Sequence, residues 1–529
     1  MKRPPLLTFF AVWVAYALLV AHLWFLCDDA FISFRFARNL ATGVGLRFNP
    51  DGPPVEGFSD PLWVGLEALL YRMGVLLPDA IPLLCFVCGS LLLYRVWGAL
   101  RTVTGEGAAA LALLAFALNP AMGAWSTGGL ETTASALALF VGADELLLRP
   151  APRAWVGATA VLCLSLLRVE GVGFALALCA LAAFARPEHR RTIGAVLAAL
   201  VLGWGGTEAA RYAYYGRALP LTVTAKVALS PAFVLRGARY VARNLLESPA
   251  SLVGLVGLPA LATGLPARVG AAVAILLGGT LLFPVVSGGD YLPFGRFMVL
   301  ALPLLALASG PLLARASRVG QLGTVAAVAA GMLPAFGASV LPEGARTALE
   351  FRLSDPGMTE VGMWSGELND FRVRAEVGKA MEAHARPRAW MVTGSLGVIG
   401  WFAPRLNLYD QHGLVTPMVA EREIDPEALS IPGHDKRVDI FFFVDQKPDY
   451  LYAKLVVGTA LRGATATYVR DLYARGLQDR YALAFIPLDP KEPNGPPRFL
   501  LVAESILAGD TTEGAWGRFE AQLRQYATG

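Results

Sequence analysis

Apolar runs of membrane length recur from residue 6 to residue 341, and they constrain the fold more than any other feature. A helix needs about 20 apolar residues to cross roughly 30 Å of hydrocarbon. The first run, residues 6–26, carries no formal charge. The others are residues 80–99, 107–125, 131–148, 154–167, 171–185, 192–213, 249–264, 267–286, 297–314 and 320–341. Charged residues make up 16% of the chain, where a soluble domain has about 25%. The sequence therefore predicts a mainly α polytopic membrane protein with about 11 transmembrane helices.

Basic residues in the turns between these runs predict the orientation. They are Arg95, Arg101, Arg149, Arg153, Arg186, Arg190, Arg191, Arg268, Arg315 and Arg318. Cytoplasmic loops are enriched in Lys and Arg, so these turns and the N-terminus are expected in the cytoplasm. Residues 61–77 are apolar with Glu67 and Arg72 at amphipathic spacing, and counting them as a span would break this charge pattern. We interpret them as an interfacial helix within a first outer loop, residues 28–79.

An odd number of spans divides the chain into a transmembrane domain, residues 1–342, and an extracytoplasmic domain, residues 343–529. The expected location is the cytoplasmic (inner) membrane. A tag at Gly529 should be accessible from outside that membrane, and a reporter near Glu188 should be cytoplasmic. Finding both positions in the cytoplasm would contradict this topology.

The C-terminal segment has the pattern of a soluble α/β domain. Its short apolar runs are residues 388–393, 439–444, 482–487 and 498–503, and residues 370–385 form a helical stretch between them. Such runs, bounded by Pro, Gly and Asp, are typical of strands. DIFFFVDQ, residues 439–446, is the clearest candidate strand.

Charged residues cluster in the five loops that this topology places outside the membrane. The candidates for substrate binding or catalysis in these loops are Asp28, Asp29, Arg35, Glu56, Glu131, Arg168, Glu170, Lys226, Asp290 and Arg296. Polar residues that merely cap helices would be scattered over both faces, so we expect a common site on the outer face. Structural alternatives remain for some of them. Arg168 can pair with Glu170, Asp290 with Arg296, and the two glutamates Glu56 and Glu131 can cap helix N-termini.

These residue types fit the transfer of a sugar from a lipid-linked phosphate. Asp28 or Asp29 can take the proton from an acceptor hydroxyl, although the pair can also be a polar signal that ends the first helix. Neighbouring helical residues point about 100° apart, so one of them should be the base, and we favour Asp29. Arg168, Lys226 and Arg296 can bind a phosphate leaving group.

The membrane rim suits a polyprenyl chain, and the sequence has no nucleotide-binding motif. The expected partners are therefore a polyprenyl-phosphate-linked sugar, membrane lipids and an envelope glycan or glycolipid acceptor, without nucleic acid. No cofactor is required, and the use of a divalent cation stays open, as does an inverting or retaining outcome.

The residues DDAFISFRFARNLATGVGLRFNP (28–50) and VEGFSDPLW (55–63) resemble the first outer loop of a bacterial GT-C glycosyltransferase family. That family includes the terminal arabinofuranosyltransferase of the mycobacterial cell wall. Later segments that resemble family motifs are TGGLET (127–132), RVEG (168–171), YYGRALPLTVTAK (214–226), SGGDYLPFGRF (287–297), LYDQHGLVTP (408–417) and PGHDK (432–436). The resemblance runs from about residue 20 to about residue 450.

The resemblance implies a GT-C membrane fold, a polyprenyl-phosphate-linked sugar donor and glycan synthesis outside the cytoplasmic membrane. It implies that the pair Asp28-Asp29 carries the catalytic carboxylate, and it adds His412 and His434 as candidates for substrate binding. Arabinofuranose is one candidate sugar. Asp60 stands where the family usually has Asn, and RALPLT (217–222) where DLLPNT is common, so recognition of the sugar or the acceptor can differ.

A secondary transporter is the main alternative from another functional class. Transporters bind substrate near the bilayer midplane and often contain inverted repeats. Here the charged residues lie at the predicted outer rim, and the sequence shows no repeat. A non-catalytic membrane protein of polysaccharide assembly is the second alternative.

Overall fold

The structure, a computed structural model, describes residues 6–227, 230–354, 356–427, 429–458, 460–489 and 495–506. Gly529, the position of the predicted external tag, lies outside the described residues. The described residues before about 350 are mainly helical. Their α-helices, in chain order, are α1 (Leu6–His22), α2 (Asp28–Ala41), α3 (Pro61–Arg72), α4 (Leu77–Val103), α5 (Glu106–Ala117), α6 (Pro120–Trp125), α7 (Thr132–Ala143), α8 (Ala154–Leu167), α9 (Gly171–Ala185), α10 (Arg190–Tyr215), α11 (Leu221–Lys226), α12 (Pro231–Glu247), α13 (Pro249–Val256), α14 (Leu261–Gly264), α15 (Ala267–Val286), α16 (Leu302–Arg315), α17 (Arg318–Gly331) and α18 (Glu343–Ala348).

All of the predicted spans fall on helical segments. By length and composition, four helical segments among the described residues can cross a membrane unaided: Leu77–Val103, Pro187–Tyr215, Ala267–Val286 and Arg318–Phe336. Other spans are shorter or are broken by a polar residue or proline. Asn119 separates α5 from α6, for example, because its side chain caps α6 by accepting the N–H of Ala121 at 2.9 Å. The number of eleven spans therefore stays a prediction.

The first outer loop contains two helices. The predicted interfacial helix 61–77 is shorter than expected, because α3 ends at Arg72 and Gly74 adopts a φ of 82° in the turn before α4. The acidic pair also differs from expectation. α1 ends at His22, and Asp28 and Asp29 form the first turn of α2. The alternative that the pair ends the first helix is therefore wrong, and the N-terminal end of α2 favours the negative charge of both residues.

The C-terminal part packs helices against a five-stranded sheet. Its elements are α19 (Glu360–His384), β1 (Trp390–Thr393), α20 (Leu396–Phe402), β2 (Asn407–Asp410), α21 (Pro417–Ala420), β3 (Tyr450–Val457), α22 (Gly463–Ala474), β4 (Tyr481–Leu488) and β5 (Arg498–Ser505). The strand order is β2-β1-β3-β5-β4. β1 is parallel to both of its neighbours, whereas β5 is antiparallel to β3 and β4. The predicted α/β character of this part is confirmed.

The segment DIFFFVDQ is not a strand. Residues Ile440–Gln446 form a 3-10 helix. Asp439 caps this helix by accepting the N–H of Phe441 at 2.8 Å, and Lys447 ends it with a φ of 51°. A short apolar run does not distinguish a buried strand from a buried helix, and here the capping residues decide.

The C-terminal part shares an apolar core with the membrane helices. Phe31 of α2 packs against Phe371 of α19, with ring centroids 5.5 Å apart, and against Trp401, which follows in α20, at 6.4 Å. α2 is thus held between the two parts of the chain. Because they share this core, the predicted division after residue 342 stays a prediction about independent folding.

Candidate functional site

A cavity of about 180 Å³ opens where the loops predicted to lie outside the membrane converge. We call it the loop cavity. α2 and α11 form part of its wall, together with loop residues 57–60, 168–170, 287 and 289–291. The predicted site residues in its lining are Asp29, Glu131, Arg168, Glu170, Lys226, Asp290 and Arg296. The structure therefore brings together side chains from all five of these loops.

The two aspartates at the start of α2 have different surroundings. The Asp28 carboxylate accepts the backbone N–H groups of Val398 at 3.0 Å and Gly397 at 3.2 Å, at the beginning of α20. Asp29 lines the loop cavity, where its Oδ2 lies 3.8 Å from Nζ of Lys226. Asp28 is consequently engaged in capping a helix, whereas the carboxylate of Asp29 faces the cavity.

α2 binds α20 at both ends through charges that complement the helix dipole. Asp28 lies at the N-terminus of α20. Arg35 is 0% exposed, and it donates to the carbonyls of Gly400 at 2.8 Å and Leu406 at 2.5 Å near the other end. The seven positions between Asp28 and Arg35 rise about 10.5 Å, which matches the 7-residue length of α20. A Cβ at Gly397 would lie 1.9 Å from the Asp28 carbonyl oxygen, so this close approach requires glycine. Arg35 therefore lies outside the loop cavity and joins two helices.

The two arginines of the loop cavity are paired with carboxylates. Arg168 donates through Nη1 to Glu131 at 2.5 Å and through Nε to Glu170. Arg296 donates through Nε and Nη2 to Asp290 at 2.8 and 3.0 Å. Both structural pairings considered from the sequence are thus present. In each guanidinium, one terminal amine takes no part in these hydrogen bonds.

The cations lie along one wall of the cavity. The guanidinium carbons of Arg168 and Arg296 lie 5.2 and 5.0 Å from the ring centroid of Phe297. Lys226 has the most exposed side chain of the three, at 33%. An anion that enters the cavity would therefore meet Lys226 together with the remaining amines of the arginines.

Asp60, the residue that departs from the family pattern, is buried in the same cavity. Burial, and then the charge of Glu131, raises the pKa of Asp60 well above its usual range. A protonated carboxyl group donates a hydrogen bond, as an amide does. The protonated form of Asp60, which burial favours, differs less from asparagine than the formal charge of an aspartate suggests.

The PGHDK motif, residues 432–436, joins the C-terminal part to the loops. Its first two residues line the loop cavity. Asp435 accepts two hydrogen bonds from Arg236 of α12, at 2.7 and 2.8 Å. Lys436 donates to the carbonyl of Thr224 in α11 at 2.8 Å. This motif therefore fixes the position of the helix that carries Lys226.

Three other predicted site residues lie outside the loop cavity. Glu56 accepts a hydrogen bond from Arg211 at 2.8 Å, and burial raises the pKa of Glu56 to about 7. His412 and His434 line a second cavity in the C-terminal part, with their ring centroids 4.2 Å apart. Burial lowers the pKa of His434 to about 3, and that of His412 well below its usual range. Both imidazoles are therefore neutral at physiological pH.

The overall fold matches that of a solved membrane glycosyltransferase over nearly its whole length. The crystal structure of ArnT from Cupriavidus metallidurans bound to undecaprenyl phosphate matches with a TM-score of 0.56 and 13% identity, covering 96% of this chain and 99% of ArnT. Its apo structure matches with a TM-score of 0.53 and 14% identity, over 95% and 99% of the two chains. ArnT is a GT-C glycosyltransferase. This chain has the GT-C fold. The predicted GT-C membrane architecture is confirmed.

Other comparisons cover less or score lower. The cryo-EM structure of the arabinofuranosyltransferase AftD from Mycobacteria matches with a TM-score of 0.47 and 17% identity, over 94% of this chain and 40% of AftD. Residues 365–493 match a family model described as a domain of unknown function, DUF8728. No curated protein sequence matches the chain. The matched segment starts within α19 and ends after β4, in the part that packs against α2 of the GT-C fold.

Several residues of the site were missed in the sequence. Arg374 of α19 lies 3.4 Å from Asp28, and the Glu367 carboxylate accepts the backbone N–H of Asp28. No local motif marks these two residues, because their partners are distant in the chain. Arg236 and Arg243 of α12 did carry a signal, since residues seven apart share one face of a helix. Both are buried against acidic partners in the C-terminal part.

The use of a divalent cation stays an open question. In the described ranges, no three His, Cys, Asp or Glu side chains converge as ligands for a metal ion. The carboxylates of the loop cavity are instead directed at arginine or lysine side chains.

Glu367 predicts a pH dependence for the contact between α19 and α2. Burial raises the pKa of Glu367 to about 7, with smaller effects from Arg374 and the two aspartates. An unfolded glutamate titrates near pH 4.3, so between these values the folded chain binds more protons than the unfolded chain. The contribution of Glu367 to the free energy of unfolding is therefore full below about pH 4.3 and is lost as the pH rises through about 7. The thermal midpoint should therefore be lower at pH 8 than at pH 5.5.

The substitution Glu367→Gln should reduce this difference, and Glu343→Gln, at an exposed position of α18, should leave it unchanged. Thermal denaturation of the detergent-solubilised chain at both pH values is the measurement. An equal pH dependence in the Glu367→Gln variant and the wild type would contradict the prediction.

Proposed function

We propose that this chain is a membrane glycosyltransferase that transfers a sugar from a polyprenyl-phosphate donor to an envelope glycan or glycolipid acceptor. The observation that carries the proposal is the orientation of Asp29, whose carboxylate faces the loop cavity of a GT-C fold beside Lys226. A structure of ArnT, which shares this fold, is bound to undecaprenyl phosphate. We place the site outside the cytoplasmic membrane, as the basic turns indicate.

The reaction follows from the groups that line the cavity. The acceptor hydroxyl oxygen attacks the anomeric carbon of the donor, and Asp29 takes the hydroxyl proton. The bond between the anomeric carbon and the phosphate oxygen breaks, and its electron pair leaves with the polyprenyl phosphate. Lys226 and the remaining amines of Arg168 and Arg296 bind the phosphate as its negative charge increases.

The state of the other carboxyl groups supports a single displacement with one base. Asp290 is paired with Arg296, and Glu131 and Glu170 are paired with Arg168. Burial favours the protonated form of Asp60. Among the carboxyl groups that the structure describes in the loop cavity, this favours Asp29 as the proton acceptor. We therefore propose an inverting outcome.

Lys226 is expected to contribute strongly to donor binding. A hydrogen bond to a charged group contributes about 1.5–3 kcal/mol, so Lys226→Met should weaken donor binding by about 10- to 100-fold. Lys379→Met is the matched control, because Lys379 lies exposed on α19. Binding of polyprenyl phosphate to the purified protein tests this directly. Equal affinities for both variants and the wild type would remove Lys226 from the donor site.

Transfer from a radiolabelled donor tests the proposal as a whole. The purified chain in lipid nanodiscs is given polyprenyl-phosphate arabinofuranose first, because of the family resemblance, and then other polyprenyl-phosphate sugars. The product is a labelled envelope glycan or glycolipid. Uptake of the same sugars into proteoliposomes is measured in parallel. Uptake without transfer would contradict the proposal and favour the transporter.

A further inference from the structure

A second cavity lies in the C-terminal part, where the parallel strands β1 and β2 end. We call it the sheet cavity. Its lining includes residues 393–395, which follow β1, and Gln411 and His412, which follow β2. β1 lies between β2 and β3. The connection after β1 therefore leads to a strand on one side of β1, and the connection after β2 leads to a strand on the other side. Open α/β sheets bind ligands in the crevice at such a switch point. Among the described residues β1 pairs with β3 only at Met391, and the strands then diverge around the cavity.

Three cations line the sheet cavity: Arg374, Arg437 and Lys454. Arg374 is paired with Asp370 at 2.6 Å. Arg437 and Lys454 form no ion pair with any residue that the structure describes. Partial desolvation in the cavity, followed by the charge of Arg374, lowers the pKa of Lys454, and the charge of Asp370 opposes this shift. Asp370, Asp439 and Asp471 also line the cavity, so its charge is mixed. Arg437 and Lys454, which have no ion-pair partner among the described residues, favour an anionic ligand.

Two buried polar atoms in the same lining have no hydrogen-bond partner within the described part of the chain. They are Nδ1 of His412 and the hydroxyl of Tyr468. Buried polar groups are normally hydrogen-bonded, and an unpaired one calls for an explanation. A polar ligand would supply the partners. The ring of Tyr468 is held in place by stacking on Tyr452, with centroids 3.7 Å apart, and on Phe441, at 5.6 Å.

A stack of three rings separates the sheet cavity from the loop cavity. His412 packs on His434 at 4.2 Å between centroids, and His434 packs on Tyr291 at 4.4 Å. Tyr291 lines the loop cavity beside Asp290. The lining of the sheet cavity comes entirely from residues after 369. Its ligand is therefore expected to be water-soluble, whereas the lipid-linked donor belongs to the loop cavity.

We propose that the sheet cavity binds the acceptor glycan through an anionic group, a sugar carboxylate or a sugar phosphate, held by Arg374, Arg437 and Lys454. This inference rests on the proposed glycosyltransferase function. The neutral imidazole of His412 and the hydroxyl of Tyr468 bind hydroxyl groups of the same sugar. The acceptor chain then reaches Asp29 past the ring stack.

Calorimetric titration of the full chain in nanodiscs tests the site without any donor. The probes are an oligogalacturonate, glucose 6-phosphate and neutral maltotriose. Both anionic probes, or one of them, should bind at least about 10-fold more tightly than maltotriose, and the tighter one identifies the anion. Arg437→Gln and Lys454→Gln should each weaken that binding by about 10- to 100-fold. Arg462→Gln, at an exposed position before α22, should have no effect.

Tyr468→Phe gives the sharpest test, because the variant keeps the packing and removes only the unpartnered hydroxyl. It should weaken binding of the anionic probe by about 3- to 10-fold, while the thermal midpoint without probe stays equal or rises. Equal binding of all three probes, with no effect of these substitutions, would overturn the inference.

Kinetics separate this inference from the function on which it rests. In transfer assays, Arg437→Gln and Lys454→Gln should raise the acceptor KM with little change in kcat. Transfer with an unchanged acceptor KM would rule out the sheet cavity as the acceptor site without contradicting the glycosyltransferase proposal. If no donor supports transfer but the anionic probes still bind with the expected variant pattern, the glycosyltransferase proposal fails and the anion site stands.

Discussion

Asp29→Asn is expected to lose about 10²–10⁴-fold in the rate of sugar transfer, because positioned acid–base groups contribute that much. Asparagine keeps the size of the side chain but cannot take the proton of the acceptor hydroxyl. The carboxylate lines the loop cavity, and among the described residues its one ion pair is the loose contact with Lys226 at 3.8 Å. Folding and donor affinity should therefore stay close to those of the wild type. Single-turnover transfer and donor binding, measured on the same preparation, test both parts of this prediction.

Asp28→Asn is the matched control from the neighbouring position. An asparagine oxygen can still accept one of the backbone N–H groups that begin α20, so the helix cap is weakened and not abolished. We expect a lower thermal midpoint and a loss in rate smaller than that of Asp29→Asn. A folded Asp28→Asn variant with the larger loss would reverse the assignment. Near-normal rates in both variants would remove this pair from the chemistry.

The difference between these two aspartates shows where prediction from the sequence ends. The basic turns and apolar runs predicted which loops meet, and the structure gathers side chains from those loops in the loop cavity. The role of Asp28 was not predictable, because its partners at the start of α20 lie 369 and 370 residues further along the chain. No local pattern encodes such a contact. Asp28-Asp29 therefore looked like a pair, although one residue holds a helix and the other faces a cavity.

The C-terminal part shows a second limit. The runs around β1, β4 and β5 were predicted as strands from their short apolar segments, whereas DIFFFVDQ has the same composition and forms a 3-10 helix. The difference lies in Asp439, which caps the helix, and in Lys447, which ends it. The paired His412 and His434 were predicted only through the family resemblance, and the cavity that they line depends on how β1 and β3 diverge. Most of the features that could not be predicted from the sequence depend on tertiary contacts of this kind.

Arg35→Met is expected to destabilise the chain by about 3 kcal/mol, the largest effect on stability that we predict. Its guanidinium is fully buried and donates to the carbonyls of Phe48, Gly400 and Leu406. The Phe48 carbonyl keeps a donor in Asn39, at 3.0 Å. Each carbonyl that is left buried without a partner costs about 1–3 kcal/mol, although relief of the buried charge offsets part of that loss. Methionine retains an unbranched apolar side chain, so the variant isolates the hydrogen bonds from the packing. Thermal denaturation in detergent should show a clearly lower midpoint.

Proteolysis tests whether Arg35→Met loses the contact between α2 and α20. Such a loss is expected, because Asp28 and Arg35 hold the two ends of α20. Limited digestion of Arg35→Met should release the C-terminal part earlier than in the wild type. Arg38→Met should have a smaller effect, because Arg38 is less buried and donates mainly to the carbonyl of Trp401 at 2.8 Å. The exposed Arg72 gives a neutral control. If Arg35→Met and Arg72→Met had equal thermal midpoints and digestion rates, Arg35 would not hold these helices together.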